Sequence, residues 1–381
     1  MRIGIDARLL SRWRGGSSVF LEQIVRELEK IDCENEYFLY SNRPFILPFG
    51  SVRWHPRVRS RFPLMPGTLW VQTDLKAMIR EDRLDVFWGA MQAIPLGKDT
   101  WPARVLTVHD LMWILYPETL PFYTVAVFKL FGRRYANQAD RLIAISDATA
   151  HDLERIYHIP RSKVEVIYHG VRGEYQPLER QAAAHAISCK FGVSEDYICT
   201  VGTVQPRKNI ETLIRAVKLL RGEGRIRHQL VVAGGRGWKD SKIYSSVKEL
   251  GLTDDDVRFL GYVPDSDMPS LYAGAAVFAF PSLYEGFGIP LVEAMASGVP
   301  IVASCAPPVP EIVGDAAIMV SPKSAPQFAE AIFRVLSDAD LRASMVSKGL
   351  AQCSRFRWDV AARRVLDTFR HASSTQQSAC D

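Results

Sequence analysis

Residues 275–296 are AAVFAFPSLYEGFGIPLVEAMA, and this stretch decides the fold prediction. The apolar run at 275–281 predicts a buried strand, and the run at 291–296 predicts the start of a helix. Gly286 and Gly288 predict a turn between the two. A strand that turns through glycines into a helix brings unpaired backbone N–H groups and a positive dipole end to one place. That place suits an anionic or polyhydroxyl ligand.

Two carboxylates flank the predicted turn. Glu285 precedes the glycines, and Glu293 lies one or two turns into the helix. Carboxylates accept hydrogen bonds from hydroxyl groups, so both side chains could serve one ligand site. The alternative is a turn with two solvated glutamates, because the first turn of a helix attracts Glu in any case.

Along the rest of the chain, short apolar segments alternate with helical ones, which is the pattern of parallel, doubly wound sheets. The chain has 381 residues, too many for one ordinary core, so we predict two domains. Ligands of such sheets lie at the carboxyl ends of the strands. The predicted strands include residues 84–89, 103–110, 142–146 and 164–167 in the first half and 197–204, 228–235, 257–263 and 300–304 in the second.

Two residues of the first half lie where a predicted strand ends. Gly16 belongs to a glycine pair ahead of a helix that Ser17–Ser18 would cap, and such a pair lets a phosphate approach the backbone closely. A simple turn would explain the pair equally well. His109, with Asp110 after it, ends another strand, and we favour a functional over a structural role for it.

In the second half, Arg207 and Lys208 follow the predicted strand 197–204 and precede a helix over 210–220, for which Asn209 is the expected cap. Two cations there would add to the helix dipole and form a diphosphate site. An ordinary basic loop is the alternative.

Composition places the chain among globular proteins and sets limits on its partners. The net charge of +5 is mild and does not call for nucleic acid. We expect free thiols in a reducing compartment, because the cysteines are scattered without a C-x-x-C pair. The N-terminus lacks the apolar core of a signal peptide. The cysteines are Cys33, Cys189, Cys199, Cys305, Cys353 and Cys380.

Missing motifs argue against three classes of enzyme. The sequence has neither G-x-x-x-x-G-K-[ST] nor G-x-G-x-x-G, so a P-loop NTPase and a nicotinamide dehydrogenase are disfavoured. No Asp-x-Asp pair directly ends a predicted strand, so we do not expect a metal-dependent transferase.

The pair Glu285 and Glu293, with seven residues between them, resembles the signature of the retaining glycosyltransferases of family 4. The arrangement G-T-x-x-x-R-K-N at 202–209 is similar to a second motif of that family, and the His109-Asp110 step to a third. The resemblance covers most of the chain. It implies the α/β fold called GT-B, in which two Rossmann-like, doubly wound domains face an interdomain cleft.

We place an acceptor-binding domain at 1–172 and a donor-binding domain at 173–355. In this architecture the last helix crosses back, so residues 356–372 would join the first domain. The small polar residues 373–381 predict a disordered tail.

The resemblance also implies roles for single residues. Glu285 would hold the transferred sugar and Glu293 the ribose of the nucleotide. Arg207 and Lys208 would hold the diphosphate, and His109 would lie near the sugar. The catalytic residues would be Glu285, His109, Arg207 and Lys208. The donor site would comprise Gly16, Arg207, Lys208, Val263, Glu285, Phe287, Gly288, Ile289, Leu291 and Glu293, with no metal ligand and no cofactor.

The overall sequence is similar to bacterial mannosyl- and rhamnosyltransferases of O-antigen and exopolysaccharide assembly. This implies GDP-mannose or a related GDP-deoxysugar as donor and a glycan or lipid-diphosphate-linked acceptor at the cytoplasmic face of the membrane. A UDP-glucose-dependent enzyme is the second choice. An epimerase, a phosphorylase and a non-catalytic nucleotide-sugar-binding protein remain as alternatives.

Two segments could contact a membrane. Residues 43–70 interleave arginines with aromatic residues and contain no acidic residue, as expected of a surface that meets anionic headgroups. Residues 122–135 mix apolar with basic residues. Packing of the aromatic residues on the core would explain the first segment, and a buried helix the second.

Overall fold

The computed structural model describes residues 1–11, 15–47, 49–61, 66–97 and 102–377. These residues form two compact units. The first unit contains Met1–Leu115, Phe122–His169 and the segment from Arg357 to the end of the last helix. The second contains Tyr116–Pro121 and Gly170–Phe356.

The first unit is built on a parallel sheet, to which the described residues contribute seven strands in the order β3-β2-β1-β4-β5-β6-β7. Strand β1 pairs with β2 on one side and with β4 on the other. The strands are β1 (Arg2–Asp6), β2 (Glu36–Ser41), β3 (Trp54–Val58), β4 (Val86–Gly89), β5 (Ala103–Val108), β6 (Arg141–Ala144) and β7 (Val164–Val166).

The second unit repeats this plan with six described strands, again all parallel, in the order β10-β9-β8-β11-β12-β13. Here the direction of winding reverses between β8 and β11, which are neighbours in the sheet. The strands are β8 (Tyr197–Val201), β9 (Gln229–Ala233), β10 (Val257–Gly261), β11 (Val277–Phe280), β12 (Ile301–Ser304) and β13 (Ala317–Val320).

Helices connect the strands and cover the sheets. The first unit contains α1 (Gly16–Ile31), α2 (Gly67–Trp70), α3 (Lys76–Asp82), α4 (Met112–Leu115), α5 (Phe122–Gln138), α6 (Asp147–Tyr157) and α15 (Trp358–Gln377). The second contains α7 (Arg180–Phe191), α8 (Ile210–Gly222), α9 (Ser241–Glu249), α10 (Met268–Ala273), α11 (Ile289–Ala296), α12 (Val309–Val313), α13 (Ala325–Ser337) and α14 (Ala339–Cys353).

Each unit has its own hydrophobic core. In the first, α1 and α15 pack together against the sheet, and Val365 and Phe369 of α15 are buried in the same cluster as Ile24 of α1. In the second, α8 and α13 pack together, with Leu213 and Ile332 among the buried residues. Apolar residues at helical spacing on these helices account for the packing.

The structure differs from the prediction in two segments. Residues 43–70 include the strand β3 and the start of a helical stretch that continues through a π-helical turn at Val71–Leu75 into α3. The last helix, α15, continues to Gln377 rather than ending at 372, and residues 378–381 lie outside the described part. Among the described residues, no helix combines the length and apolar character needed to span a bilayer.

Candidate active site

The strongest cluster of predicted residues lies in the second unit, beyond the carboxyl ends of β8 and β11. Because the winding of the sheet reverses between these neighbouring strands, their loops diverge and leave room for a ligand. The loop after β8 carries Arg207 and Lys208 on a 3-10 turn. The loop after β11 carries Glu285.

Glu285 accepts hydrogen bonds from both predicted cations. Its Oε1 accepts from Lys208 Nζ at 2.6 Å, and its Oε2 from Arg207 Nη1. The hydroxyl of Ser282 donates a third bond to Oε1 at 2.7 Å. All four residues are buried or nearly so, which makes this a largely desolvated group of two positive charges and one negative charge.

The charges of this cluster shift the pKa of Glu285. Burial alone would raise it, but the Arg207 and Lys208 charges and the bonds from Lys208 and Ser282 outweigh that effect and hold the pKa at about 2. The pKa of Lys208 is lowered by burial and by Arg207, against the opposing effect of Glu285. Glu285 is therefore a carboxylate at any physiological pH.

Backbone bonds hold the two loops together. Leu283 N–H donates to the carbonyl of Arg207 at 2.9 Å, and Arg207 Nη1 donates to the carbonyl of Tyr284 at 3.0 Å. Asn209 Nδ2 donates to the carbonyl oxygens of Pro281 and Pro322. Asn209 occupies the predicted N-cap position of α8, but its side chain makes no cap bond to a backbone N–H, because the residue has a left-handed conformation (φ 54°) and uses its amide to bridge loops.

Two glycines are required by the geometry of these loops. Gly202 has φ 150°, and a Cβ there would lie 2.9 Å from Lys208 Cε, so only glycine lets the lysine stem pass this close. Gly288 has φ 105° and is the residue from which α11 begins. A side chain at Gly288 would be strained and would crowd Leu291.

Glu293 is also buried, but its partners are different. Its Oε2 accepts from the hydroxyl of Tyr272 at 2.9 Å, and the hydroxyl of Tyr175 donates a second bond. Tyr175 in turn accepts from Arg172 Nη2 at 2.8 Å. Burial raises the pKa of Glu293, and the hydrogen bonds and the charge of Arg172 reduce that rise without cancelling it.

The structure therefore brings Arg207, Lys208 and Glu285 into direct contact and places Glu293 in a separate group of hydrogen bonds. The bonds found among the described residues do not link Glu293 to the basic pair. Its predicted contact with a ribose stays a prediction.

The other donor-site residues offer mainly backbone groups. Phe287 and Leu291 have buried side chains, and the Phe287 ring packs edge-on against Phe356 at 5.6 Å. Ile289 is half-buried at the start of α11. Val263, in the turn after β10, is buried as well. A ligand at these positions would meet peptide groups rather than side chains.

In the first unit, His109 lies at the carboxyl end of β5, as predicted, and is buried. Its Nε2 lies 3.0 Å from the carbonyl oxygen of Ala90, beyond the end of β4. Because a carbonyl only accepts, Nε2 carries the proton and Nδ1 is left as an acceptor. Burial lowers the His109 pKa to about 4 despite the bond to Ala90, so the ring is neutral near pH 7.

Gly16 is the exposed first residue of α1. The expected serine cap is wrong, because the helix begins earlier than predicted and Gly15 occupies the cap position without a side-chain bond. The N–H groups of Ser18 and Val19 both donate to the carbonyl of Gly15, at 2.9 and 3.0 Å. Phe20, one turn along α1, contacts the His109 ring edge-on at 5.8 Å. The two predicted residues of this unit thus lie at the same edge of its sheet.

Comparison with known proteins decides the family. Residues 14–174 match the family described as Glycosyltransferase Family 4, and residues 188–352 match Glycosyl transferases group 1. The O-antigen chain mannosyltransferase B of Escherichia coli is 33% identical over 267 residues, which cover 70% of this chain and 70% of that protein. The chain belongs to glycosyltransferase family 4. The motifs at 202–209 and 285–293 both lie within the range matched by Glycosyl transferases group 1.

Solved structures confirm the predicted fold of this family 4 glycosyltransferase. Sucrose-phosphate synthase from Thermosynechococcus elongatus has a TM-score of 0.78 at 20% identity, over 98% of this chain and 100% of that one. The Anabaena protein HepE, in complex with UDP and glucose, has a TM-score of 0.74 at 19% identity, over 97% of this chain and 99% of that one. The α/β class with two Rossmann-like sheets, GT-B, is thus confirmed.

The first predicted membrane segment of this glycosyltransferase, residues 43–70, is described except for residues 48 and 62–65. Four of its arginines pair with acidic residues, and its two tryptophans are buried. Arg59 makes a two-bond contact with Glu81 at 2.7 and 2.8 Å, and Trp70 donates to the carbonyl of Arg59. The other ion pairs are Arg53–Glu29, Arg57–Asp82 and Arg61–Asp74. These contacts favour packing on the core.

Sequence reasoning missed four residues that support the predicted site. Ser282 and Tyr272 donate to the two glutamates, Tyr175 links Glu293 to Arg172, and the Phe280 ring lies 5.3 Å from Lys208 Nζ. Ser282 could have been found, because it is a hydroxyl residue directly beyond a predicted strand. Tyr175 could not, because it lies far from Glu293 in the sequence.

Proposed function

We propose that this glycosyltransferase moves mannose, or a related deoxysugar, from a GDP-linked donor to a glycan or lipid-diphosphate-linked acceptor in the assembly of a cell-surface polysaccharide. The transfer would retain the anomeric configuration and would need no metal ion. The observation that carries the proposal is the buried cluster of Arg207, Lys208 and Glu285 at the point where the second sheet reverses its winding.

The two cations suit a nucleotide diphosphate. With Glu285 they leave one net positive charge in a largely desolvated site, which favours an anionic ligand. Arg207 Nε is buried and has no hydrogen-bond partner in the described part of the chain, so it offers a donor to a phosphate oxygen. As the diphosphate leaves, negative charge grows on it, and these donors stabilise that charge without rearrangement.

Glu285 suits the hydroxyl groups of a sugar. Its pKa of about 2 makes it an acceptor only, and a carboxylate has more acceptor sites than the three bonds from Arg207, Lys208 and Ser282 use. Its negative charge also favours positive charge that develops at the anomeric carbon. We assign it a positioning and electrostatic role rather than a nucleophilic one.

The proposed step is a front-face substitution. The bond between the anomeric carbon and the diphosphate oxygen breaks, and a bond to the acceptor oxygen forms on the same face. The acceptor hydroxyl proton passes to the leaving diphosphate. His109, neutral and able to accept at Nδ1, would contribute a hydrogen bond rather than a charge.

The choice of mannose rests on the E. coli relative, which is a mannosyltransferase of the O-antigen chain. The alternative is transfer of glucose from UDP-glucose, and the HepE complex contains UDP and glucose. The relative also supports a place in the cytoplasm, where nucleotide sugars are available. An epimerase or phosphorylase of the same fold is the third candidate.

The test is a transfer assay with the purified full chain and an oligomannose acceptor. We expect transfer from GDP-mannose but not from UDP-glucose, an α-linked product by NMR, and an unchanged rate with EDTA. Glu285→Ala should lower the rate by about a hundredfold or more, whereas Glu249→Ala, an exposed residue at the end of α9, should not.

Three results would contradict parts of this proposal separately. Transfer from UDP-glucose alone would replace the donor, loss of activity with EDTA would remove metal independence, and a full rate in Glu285→Ala would remove that residue from the mechanism. Thermal shifts with GDP, UDP and ADP identify the base without an acceptor, because a saturating nucleotide stabilises the protein by a few kcal/mol.

A further inference from the structure

Helix α5 exposes an unusual combination of side chains. Phe122, Tyr123 and Leu130 are 87%, 62% and 56% exposed, although apolar side chains of this size are normally covered. Lys129, Arg133 and Arg134 are exposed beside them. Spacings of four and seven residues put these six side chains on one side of the helix, which we call the α5 face.

The opposite side of the same helix is packed. Val125, Gly132 and Tyr135 are buried, and the Phe128 ring stacks on Trp113 at 4.4 Å. A Cβ at Gly132 would lie 2.7 Å from the Tyr157 hydroxyl, so the helix packs closely against its neighbours on this side. The α5 face is thus fixed outward.

Charge sets the α5 face apart as well. Helix α5 contains no Asp or Glu, and Lys129, Arg133 and Arg134 take part in none of the ion pairs formed by the described residues. By contrast, four arginines of segment 43–70 pair with acidic residues: Arg53, Arg57, Arg59 and Arg61. Segment 43–70 also exposes Ile46 and Val52, but most of its arginines are engaged in ion pairs, whereas all three basic side chains of α5 stand beside exposed apolar ones without an ion pair among the described residues.

We propose that the α5 face docks on an anionic lipid membrane. Phe122, Tyr123 and Leu130 would enter the boundary between headgroups and acyl chains, while the three basic side chains extend along the surface to lipid phosphates. The proposal rests on the proposed function in one respect: a lipid-linked acceptor would lie at the membrane, so docking there would bring the enzyme to its acceptor.

Lipid fits these observations better than nucleic acid or a protein partner. Nucleic acid would use the three cations and rings but has no place for Leu130. A protein partner would need acidic groups opposite the three cations and an apolar surface opposite the exposed apolar side chains between them. A bilayer interface offers the acyl boundary and the phosphates at adjacent depths.

The test uses the full chain and sedimentation with vesicles of phosphatidylcholine alone or mixed equally with phosphatidylglycerol. We expect binding to the anionic vesicles only. Phe122→Ser/Leu130→Ser and Lys129→Gln/Arg133→Gln/Arg134→Gln should each weaken it by about tenfold or more. The matched control is Ile46→Ser/Val52→Ser, which alters side chains that are 90% and 93% exposed in the other candidate segment.

Equal loss of binding in the control, or no loss in the Phe122/Leu130 variant, would overturn the proposal. Binding to RNA, or to a second copy of the chain, that depends on the same residues would also overturn it if the chain does not bind vesicles. Transfer to a water-soluble acceptor should be unchanged in both α5 variants. Vesicle binding is measured without any donor, so a failed transfer assay would leave this result independent.

Discussion

Glu285 and Glu293 lie eight residues apart, and both are buried in the second unit, yet their surroundings act on them in opposite directions. Glu285 is bonded to two cations, and its pKa falls to about 2. Glu293 is bonded to two neutral hydroxyl groups, and its pKa rises. Burial acts alike on both, so the charge of the partners decides the state of each carboxylate. The comparison separates an electrostatic role from a hydrogen-bonding one.

The largest expected difference between the two is in stability. Glu285→Gln leaves the buried charges of Arg207 and Lys208 without a counter-charge, which should cost about 3 kcal/mol of unfolding free energy. Glu293→Gln keeps a polar group opposite two hydroxyls and should cost less than about 1 kcal/mol. Urea unfolding of both variants measures this, and equal losses would contradict the contrast.

The second effect is on turnover. Lys208→Met keeps the stem that passes Gly202 and removes the charge, so kcat should fall by about a hundredfold while KM changes little. The control is Lys242→Met on α9, whose side chain is 77% exposed and 4.0 Å from Glu211. A fall in affinity with turnover unchanged would show that Lys208 binds the ground state only.

The third effect is a difference in pH dependence. The Glu285 pKa lies below its ordinary value of 4.5, so its stabilising effect is complete above pH 4.5 and is lost as the pH falls toward 2. Between pH 4.5 and 3 this loss amounts to about 2 kcal/mol. The Glu293 pKa lies above 4.5, so its effect is complete below pH 4.5 and is lost as the pH rises through the native pKa.

Stability curves of the wild type, Glu285→Gln and Glu293→Gln measure these slopes. Glu285→Gln should lack the loss of stability that the wild type shows below pH 4.5. Glu293→Gln should lack the gain in stability that the wild type shows as the pH falls from neutral to 4.5. The assignment fails if the two variants have curves parallel to that of the wild type.

The smallest effect concerns the link to Arg172. Tyr175→Phe removes a hydroxyl that accepts from Arg172 and donates to Glu293, which should cost about 1 kcal/mol and raise the Glu293 pKa further. Tyr244→Phe is the control, because the packing of that ring on Phe259 at 4.5 Å would remain. Carboxyl NMR titration of both variants reports the pKa directly, and an unchanged titration in Tyr175→Phe would refute the link.

Much of the fold could be predicted from local patterns. The apolar run before Ser282 is the strand β11, and the glycines after it do form the turn that leads into α11. Strand β3 was missed because it is an edge strand that contains Pro56, a residue that normally argues against a strand.

The candidate site was only partly predictable, because some of its contacts depend on tertiary packing. The sequence places Arg207, Lys208 and Glu285 directly after predicted strands. Their contact could therefore be expected if the two strands were neighbours, and β8 and β11 are neighbours in the sheet. The partners of Glu293 depend on how α10, α11 and the chain near Tyr175 pack, which local spacing does not encode. The number of bonds that Asn209 makes across loops is likewise a tertiary property.

Helix α15 gives the chain an order of assembly. Its apolar residues complete the core of the first unit, yet they are synthesised after the whole of the second unit. During synthesis on the ribosome, the side of α1 that packs on α15 therefore stays uncovered until the final helix emerges. A stop codon ahead of Trp358 would remove few residues and none of the sugar-transfer motifs, but it would leave the earliest part of the protein unfinished.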